Sequence, residues 1–188
     1  MPTVLDIITD ALKLGRVTAS PTANEAADGL SCFQSMIDGF VTGGMFGRLE
    51  DVYLTENETA LEGRRYFVPT GLTLTPATSI YEDESGATRQ PRDLAIYETL
   101  TEAGARSVKL YDRTGWVELT DLTLSSEAPL ALRNRLGLAA ALATSAAFLA
   151  IFEDADVSPR VERLGRNFLG NISAKRGSTQ PDRTAEYF

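Results

Sequence analysis

The stretch LGLAAALATSAAFLAIF, residues 136–152, carries no charged side chain and is built largely from alanine and leucine. How it is read decides the architecture. A membrane-spanning helix wants about 20 predominantly apolar residues, and this run stops short of that at Glu153, Asp154 and Asp156. Its small side chains favour close packing between helices over lipid contact. The run is therefore expected to be a buried helix. The spacing predicts that it begins after Ser125 or Ser126, with Glu127 and Pro129 in its first turn, and continues to about Phe152. A carboxylate there suits the helix dipole, and proline at that place needs no donor.

Downstream, a break at residues 154–159 precedes another helix. In it Val161, Leu164, Phe168 and Ile172 repeat at helical spacing, while Arg160, Arg163 and Arg166 line another side. Residues 177–188 lack a periodic apolar pattern and read as a flexible tail.

Upstream, Val4, Leu5, Ile8, Ala11 and Leu12 fall on one helical face, with Thr3 as cap and Gly15 as stop. Thr22 and Glu25 have capping-box spacing, opening a second helix with the stripe Ala26, Leu30, Phe33, Ile37 and Phe40 that ends at Gly43 and Gly44. Residues 48–124 change character, with short β-favouring runs at 66–68, 72–74, 94–97, 108–111 and 116–119. The segment RSVKLYDRTGWVEL, residues 106–119, reads as a hairpin with its turn at 112–115, and the acidic stretch 82–85 as a solvated loop. The expected fold class is α+β: mainly an α-helical bundle of about four helices, with a β-rich insertion and an extended C-terminal tail. Residues 1–47 and 125–176 supply the bundle, 48–124 the insertion and 177–188 the tail.

Charge and composition narrow the functions. The net charge is −8, and it is uneven: residues 1–126 carry 10 basic and 19 acidic groups, residues 127–188 carry 8 and 7. No basic footprint of the kind a DNA reader uses dominates. With no histidine, Ser-His-Asp and Cys-His catalysis and His-ligated zinc are excluded. The lone cysteine, Cys32, sits among apolar residues and reads as core, in a protein that folds in a reducing cytoplasm. Asp6 and Asp10 interrupt the first apolar stretch before it could serve as a signal sequence. Two rival readings remain. A carboxylate hydrolase would draw on pairs such as Glu50 with Asp51 or Glu153 with Asp154. A small membrane-associated protein would place residues 136–152 in lipid.

The segment LSCFQSMIDGFVTGGMFG, residues 30–47, resembles the opening signature of the tailed-phage head-to-tail adaptor family, which includes packaged-DNA stabilisation proteins. In that family an apolar helix stripe ends in an aromatic residue, here Phe40 where tryptophan is more usual. A glycine turn with apolar residues follows, here Gly43, Gly44, Met45 and Phe46. PRDLAIYE (91–98), YDRTGWVEL (111–119) and LSSEAPLALRNRLGLAAALA (124–143) are similar to adaptors of long-tailed phages and gene-transfer particles.

The resemblance implies a non-enzymatic virion protein without cofactor or metal, made in the host cytoplasm. It would form a ring, usually twelvefold, beneath the portal protein and dock a tail or stopper protein. Packaged DNA would pass through the channel without sequence-specific binding. Within such a ring the tail, with Tyr187, Phe188 and Arg183, is expected to grip the portal, since aromatics are enriched at interface hot spots. Arg160, Arg163 and Arg166 are expected at channel or intersubunit contacts.

Overall fold

The structure, a computed structural model, describes residues 1–81, 87–113 and 115–177. Helix α1 (Val4–Leu14) starts at the expected Thr3 cap, which Asp6 completes into a capping box: Thr3 N–H donates to Asp6 Oδ2 at 2.8 Å and Asp6 N–H to Thr3 Oγ1 at 3.2 Å. Helix α2 (Ala23–Thr42) repeats the device with Thr22 and Glu25. On α1 the buried stripe is Val4, Ile7, Ile8, Ala11 and Leu12, so Ile7 takes the place expected of Leu5, which is exposed. The two helices cross closely: a Cβ at Gly29 would lie 2.3 Å from Ile8 Cγ2.

The charge-free run differs from the expectation in both its start and its continuity. A helix leaves its first N–H groups without internal partners, and in α1 two of these find backbone acceptors from the middle of the chain. Val4 N–H donates to the Ser126 carbonyl at 2.9 Å and Leu5 N–H to the Leu124 carbonyl at 3.0 Å, while Ala128 N–H returns to the Pro2 carbonyl at 2.9 Å. This pairing commits residues 124–128 to the α1 N-terminus, so Glu127 and Pro129 do not form a first turn. A turn follows, closed by Ala131 N–H on the Ala128 carbonyl at 3.3 Å, with Leu130 at φ +65. Helix α3 (Arg135–Ala143) begins only at the Asn134 cap.

The run then breaks again. The Thr144 hydroxyl donates back to the Ala140 carbonyl at 2.9 Å, and the Ser145 hydroxyl caps the short helix α4 (Ala146–Ile151). Hydroxyls that compete for backbone groups in this way end helices. Among the described residues no helix is long and apolar enough to cross a membrane.

Strands occupy the middle of the chain: β1 (Glu50–Tyr53), β2 (Glu58–Ala60), β3 (Arg64–Val68), β4 (Leu74–Pro76), β5 (Ile80–Tyr81), β6 (Thr88–Arg89), β7 (Ile96–Thr101), β8 (Arg106–Tyr111) and β9 (Trp116–Glu118). Five of them form one mixed sheet in the order β1-β3-β7-β8-β9, parallel across β1, β3 and β7 and antiparallel from β7 to β9. The hairpin read from residues 106–119 is β8 and β9, with Tyr111 opposite Trp116. The acidic stretch 82–85 and residues 178–188 lie outside the described residues.

This sheet corrects the expectation of a mainly helical bundle of about four helices. The molecule is α+β, with a five-stranded mixed sheet and, among the described residues, five helices. Both faces of the sheet are covered. Ile96, Val108 and Leu110 share the main core with α1, α2, α3 and helix α5 (Pro159–Gly177). Tyr66 and Tyr97, with Trp116 packed against them, form a second, aromatic core.

Helix α3 is buried from Gly137 to Ala143, with α1 and α5 as its main neighbours. The α5 approach is set by Gly165, where a Cβ would stand 3.0 Å from the Ala141 nitrogen and 3.1 Å from the Ala140 oxygen, atoms of a backbone that cannot swing away. Gly165→Ala is therefore expected to destabilise the fold by about 1–3 kcal/mol through overpacking. Gly170→Ala, on the same helix with nothing within 4 Å, should stabilise it by about 0.5–1 kcal/mol. Urea midpoints of the two variants check both signs.

Candidate functional site

A ladder of alternating charges crosses the helix-facing side of the sheet. Side chains two apart on a strand share a face, so Glu98 stands beside core residue Ile96 on β7 and points toward the helices. Its oxygens accept from Arg65 Nε at 2.6 Å and Arg106 Nε at 2.5 Å. The outer ends are closed by Asp51 on β1, 3.3 Å from Arg65, and Asp38 on α2, 3.2 Å from Arg106. Burial alone would push the Glu98 carboxyl up, but hydrogen bonds from Arg106 and Arg65 outweigh it and hold the group below the usual glutamate value. Both carboxylate oxygens are engaged and the group stays ionised, so Glu98 positions strands and has no proton to give.

A second buried ion cluster ties the turn before α3 to the sheet. The Arg133 side chain, 5% exposed, donates through Nη1 to Asp93 Oδ2 at 2.8 Å and through Nη2 to Asp112 Oδ1 at 2.6 Å, with a further bond from Nη2 to Asp93 Oδ1. Asp112 comes from the β8–β9 turn, where its N–H also donates to the Gly115 carbonyl at 2.9 Å.

Beside Asp93 and the C-terminal half of α5 lies a groove of about 590 Å³. Phe46, Leu94, Ile96 and Ile172 line it with apolar side chains, while Arg48, Glu62, Arg92 and Asp93 supply charge. Glu62 is already satisfied, accepting from Arg89 Nη2 and from Arg92 N–H, each at 2.5 Å. Arg48, on the loop between α2 and β1, is exposed and makes no ion pair among the described residues. The volume is typical of a ligand or side-chain pocket, and its charged lining is balanced between two arginines and two carboxylates.

The residues singled out from sequence are distributed elsewhere. Arg160, Arg163 and Arg166 are exposed on α5, where Arg166 lies 3.6 Å from Glu162 one turn earlier. Arg183, Tyr187 and Phe188 lie outside the described residues. Of the carboxylate pairs, Asp51 is held by Arg65, and Glu153 and Asp154 are exposed. Cys32 is buried, as its neighbours required, and burial, aided by Asp28, pushes its thiol up and disfavours the nucleophilic thiolate. Among the described residues no group of three or more His, Cys, Asp and Glu side chains could hold a metal ion.

Sequence reading missed Glu98, Arg133 and the groove. The available signal was a lone glutamate inside the strand segment IYETLT, with arginines in both partner strands. The chain matches no protein-family model, and no curated protein matches it.

Glu98→Gln removes the charge shared by two guanidiniums that are each about a third exposed, and should cost about 2–3 kcal/mol, below the range for a fully buried pair. Because the folded Glu98 value is depressed, its stabilisation is complete above the ordinary 4.5 and lost as pH falls through the lowered value. Urea midpoints measured across that range should fall more steeply for the wild type than for Glu98→Gln.

Proposed function

We propose that this chain is a structural head-to-tail adaptor of a tailed phage or phage-like particle, working by contact rather than by turnover. The reading comes from the resemblance carried by residues 30–47, 91–98, 111–119 and 124–143, and one feature of the fold supports it above others. Among the large apolar side chains that stand in solvent are Leu132 and Leu136, 51% and 53% exposed, at the entry to α3, and Leu149 and Ile151, 44% and 45% exposed, on α4. A closed ring is built by joining one surface of a subunit to a different surface of the next, and two separate apolar surfaces meet that requirement.

In this reading the ring sits beneath the portal protein, extends the channel and docks a tail or stopper protein. Its net charge of −8 keeps packaged DNA from adhering to it. Residues 178–188, with Arg183, Tyr187 and Phe188, grip the portal. Arg160, Arg163 and Arg166 face a neighbouring subunit or the channel.

Imaging of intact particles is expected to place this chain as a ring directly below the portal; finding it elsewhere in the particle, or absent, removes the reading. At the subunit level, Leu132→Asp combined with Leu136→Asp should leave the circular dichroism spectrum intact while excluding the subunit from the ring. Normal incorporation of that variant would rule out this surface as a subunit contact.

A further inference from the structure

Charge of opposite sign stands uncommitted on two different surfaces of this subunit. The exposed face of α5 carries Arg160, Arg163 and Arg166 against one exposed carboxylate, Glu162, which lies 3.6 Å from Arg166. Arg160 and Arg163 have no ion pair among the described residues. The acidic counterpart lies where the chain leaves α4. Glu153 and Asp154 are exposed and make no ion pair among the described residues, while Asp156 is already held by Arg16 at 2.6 Å. Directly before them stand the exposed aliphatic side chains Leu149 and Ile151.

The charges match in number. Three arginines less Glu162 leave two positive charges on α5, and Glu153 with Asp154 supply two negative ones. The surfaces also belong to different layers, since α4 has α2 as its main neighbour and α5 has α3. Arginine stems are apolar up to the guanidinium, so Leu149 and Ile151 can lie along them while the carboxylates meet the charged heads. Like charges brought together repel, so an acidic corner does not dock on another corner, nor one α5 face on another.

We infer that Glu153 and Asp154 of one copy dock against Arg160 and Arg163 of the next, with Leu149 and Ile151 packed along the arginine stems. The contact rests on the adaptor reading and gives its ring a head-to-tail order, one surface of each subunit meeting a different surface of its neighbour. Exposed ion pairs add little affinity of their own; here they select which surfaces meet, and burial of the aliphatic pair supplies the attraction.

The test images the neck of particles whose only copy of this protein is the full-length variant supplied, with circular dichroism reporting that each variant is folded. Arg160→Glu with Arg163→Glu should reduce ring incorporation about tenfold or more, and so should Glu153→Arg with Asp154→Arg, since each brings like charges together. Supplying these two double variants together should restore the ring, because each then presents the charge that the other lacks, and all four substitutions in one chain should restore it as well. Normal incorporation of either double variant alone, or continued exclusion of the fourfold variant, would overturn the contact while leaving the wild-type ring below the portal in place. A wild-type chain found away from the portal would instead remove the adaptor reading, and this contact with it.

Discussion

One buried carboxylate joins the two halves of this molecule. Glu98 sits at the centre of the mixed sheet and accepts from an arginine on each side, Arg65 of β3 and Arg106 of β8, and through Arg106 it reaches Asp38 of α2. Removing an ion from water is expensive, and it is tolerated only where opposite charge and hydrogen bonds replace the lost solvent. Any slip in strand register would leave Glu98 buried without those partners. The same contact therefore fixes the sheet and sets how α2 lies across it.

A second constraint acts at the other end of the helical layer. The unpaired N–H groups of the first turn of α1 take carbonyls from residues 124 and 126, and the strand-like return of Ala128 to Pro2 completes the joint. The chain start is thereby fastened to the segment that leads into α3. With α1 held on one side and Gly165 of α5 pressed against the Ala140 and Ala141 backbone on the other, α3 becomes the innermost helix. Its small side chains are what permit that closeness, which accounts for the alanine-rich run as a helix-packing surface.

Several of the buried polar groups are taken up by these joints. Glu98, Glu62, Asp93 and Asp112 are engaged by arginines, and the Cys32 thiol is held protonated by burial. What is left facing outward is contact surface: apolar side chains at the α3 entry and on α4, basic side chains along α5, and a groove with the uncommitted Arg48 at its edge. A surface of that kind is suited to binding, and the adaptor proposal gives it partners.

The sequence by itself determined what depends on neighbours a few residues apart. The Thr3 cap, the Thr22 capping box, most of the α1 and α2 stripes, the β8–β9 hairpin, the buried Cys32 and the α5 periodicity are all local, so hydrogen bonds and apolar spacing along the chain suffice to reveal them. Only the tertiary structure decided the rest. Strand β1, EDVY, reads as polar because it lies at a sheet edge, and its pairing with β3, like that of β3 with β7, is parallel and spans long stretches of chain. The helix expected from Ser125 gave way because distant residues 2–5 claimed the same backbone, and Thr144 and Ser145 split what remained. The charge ladder and the groove belong to this second class, since their residues come from segments that meet only when the sheet closes.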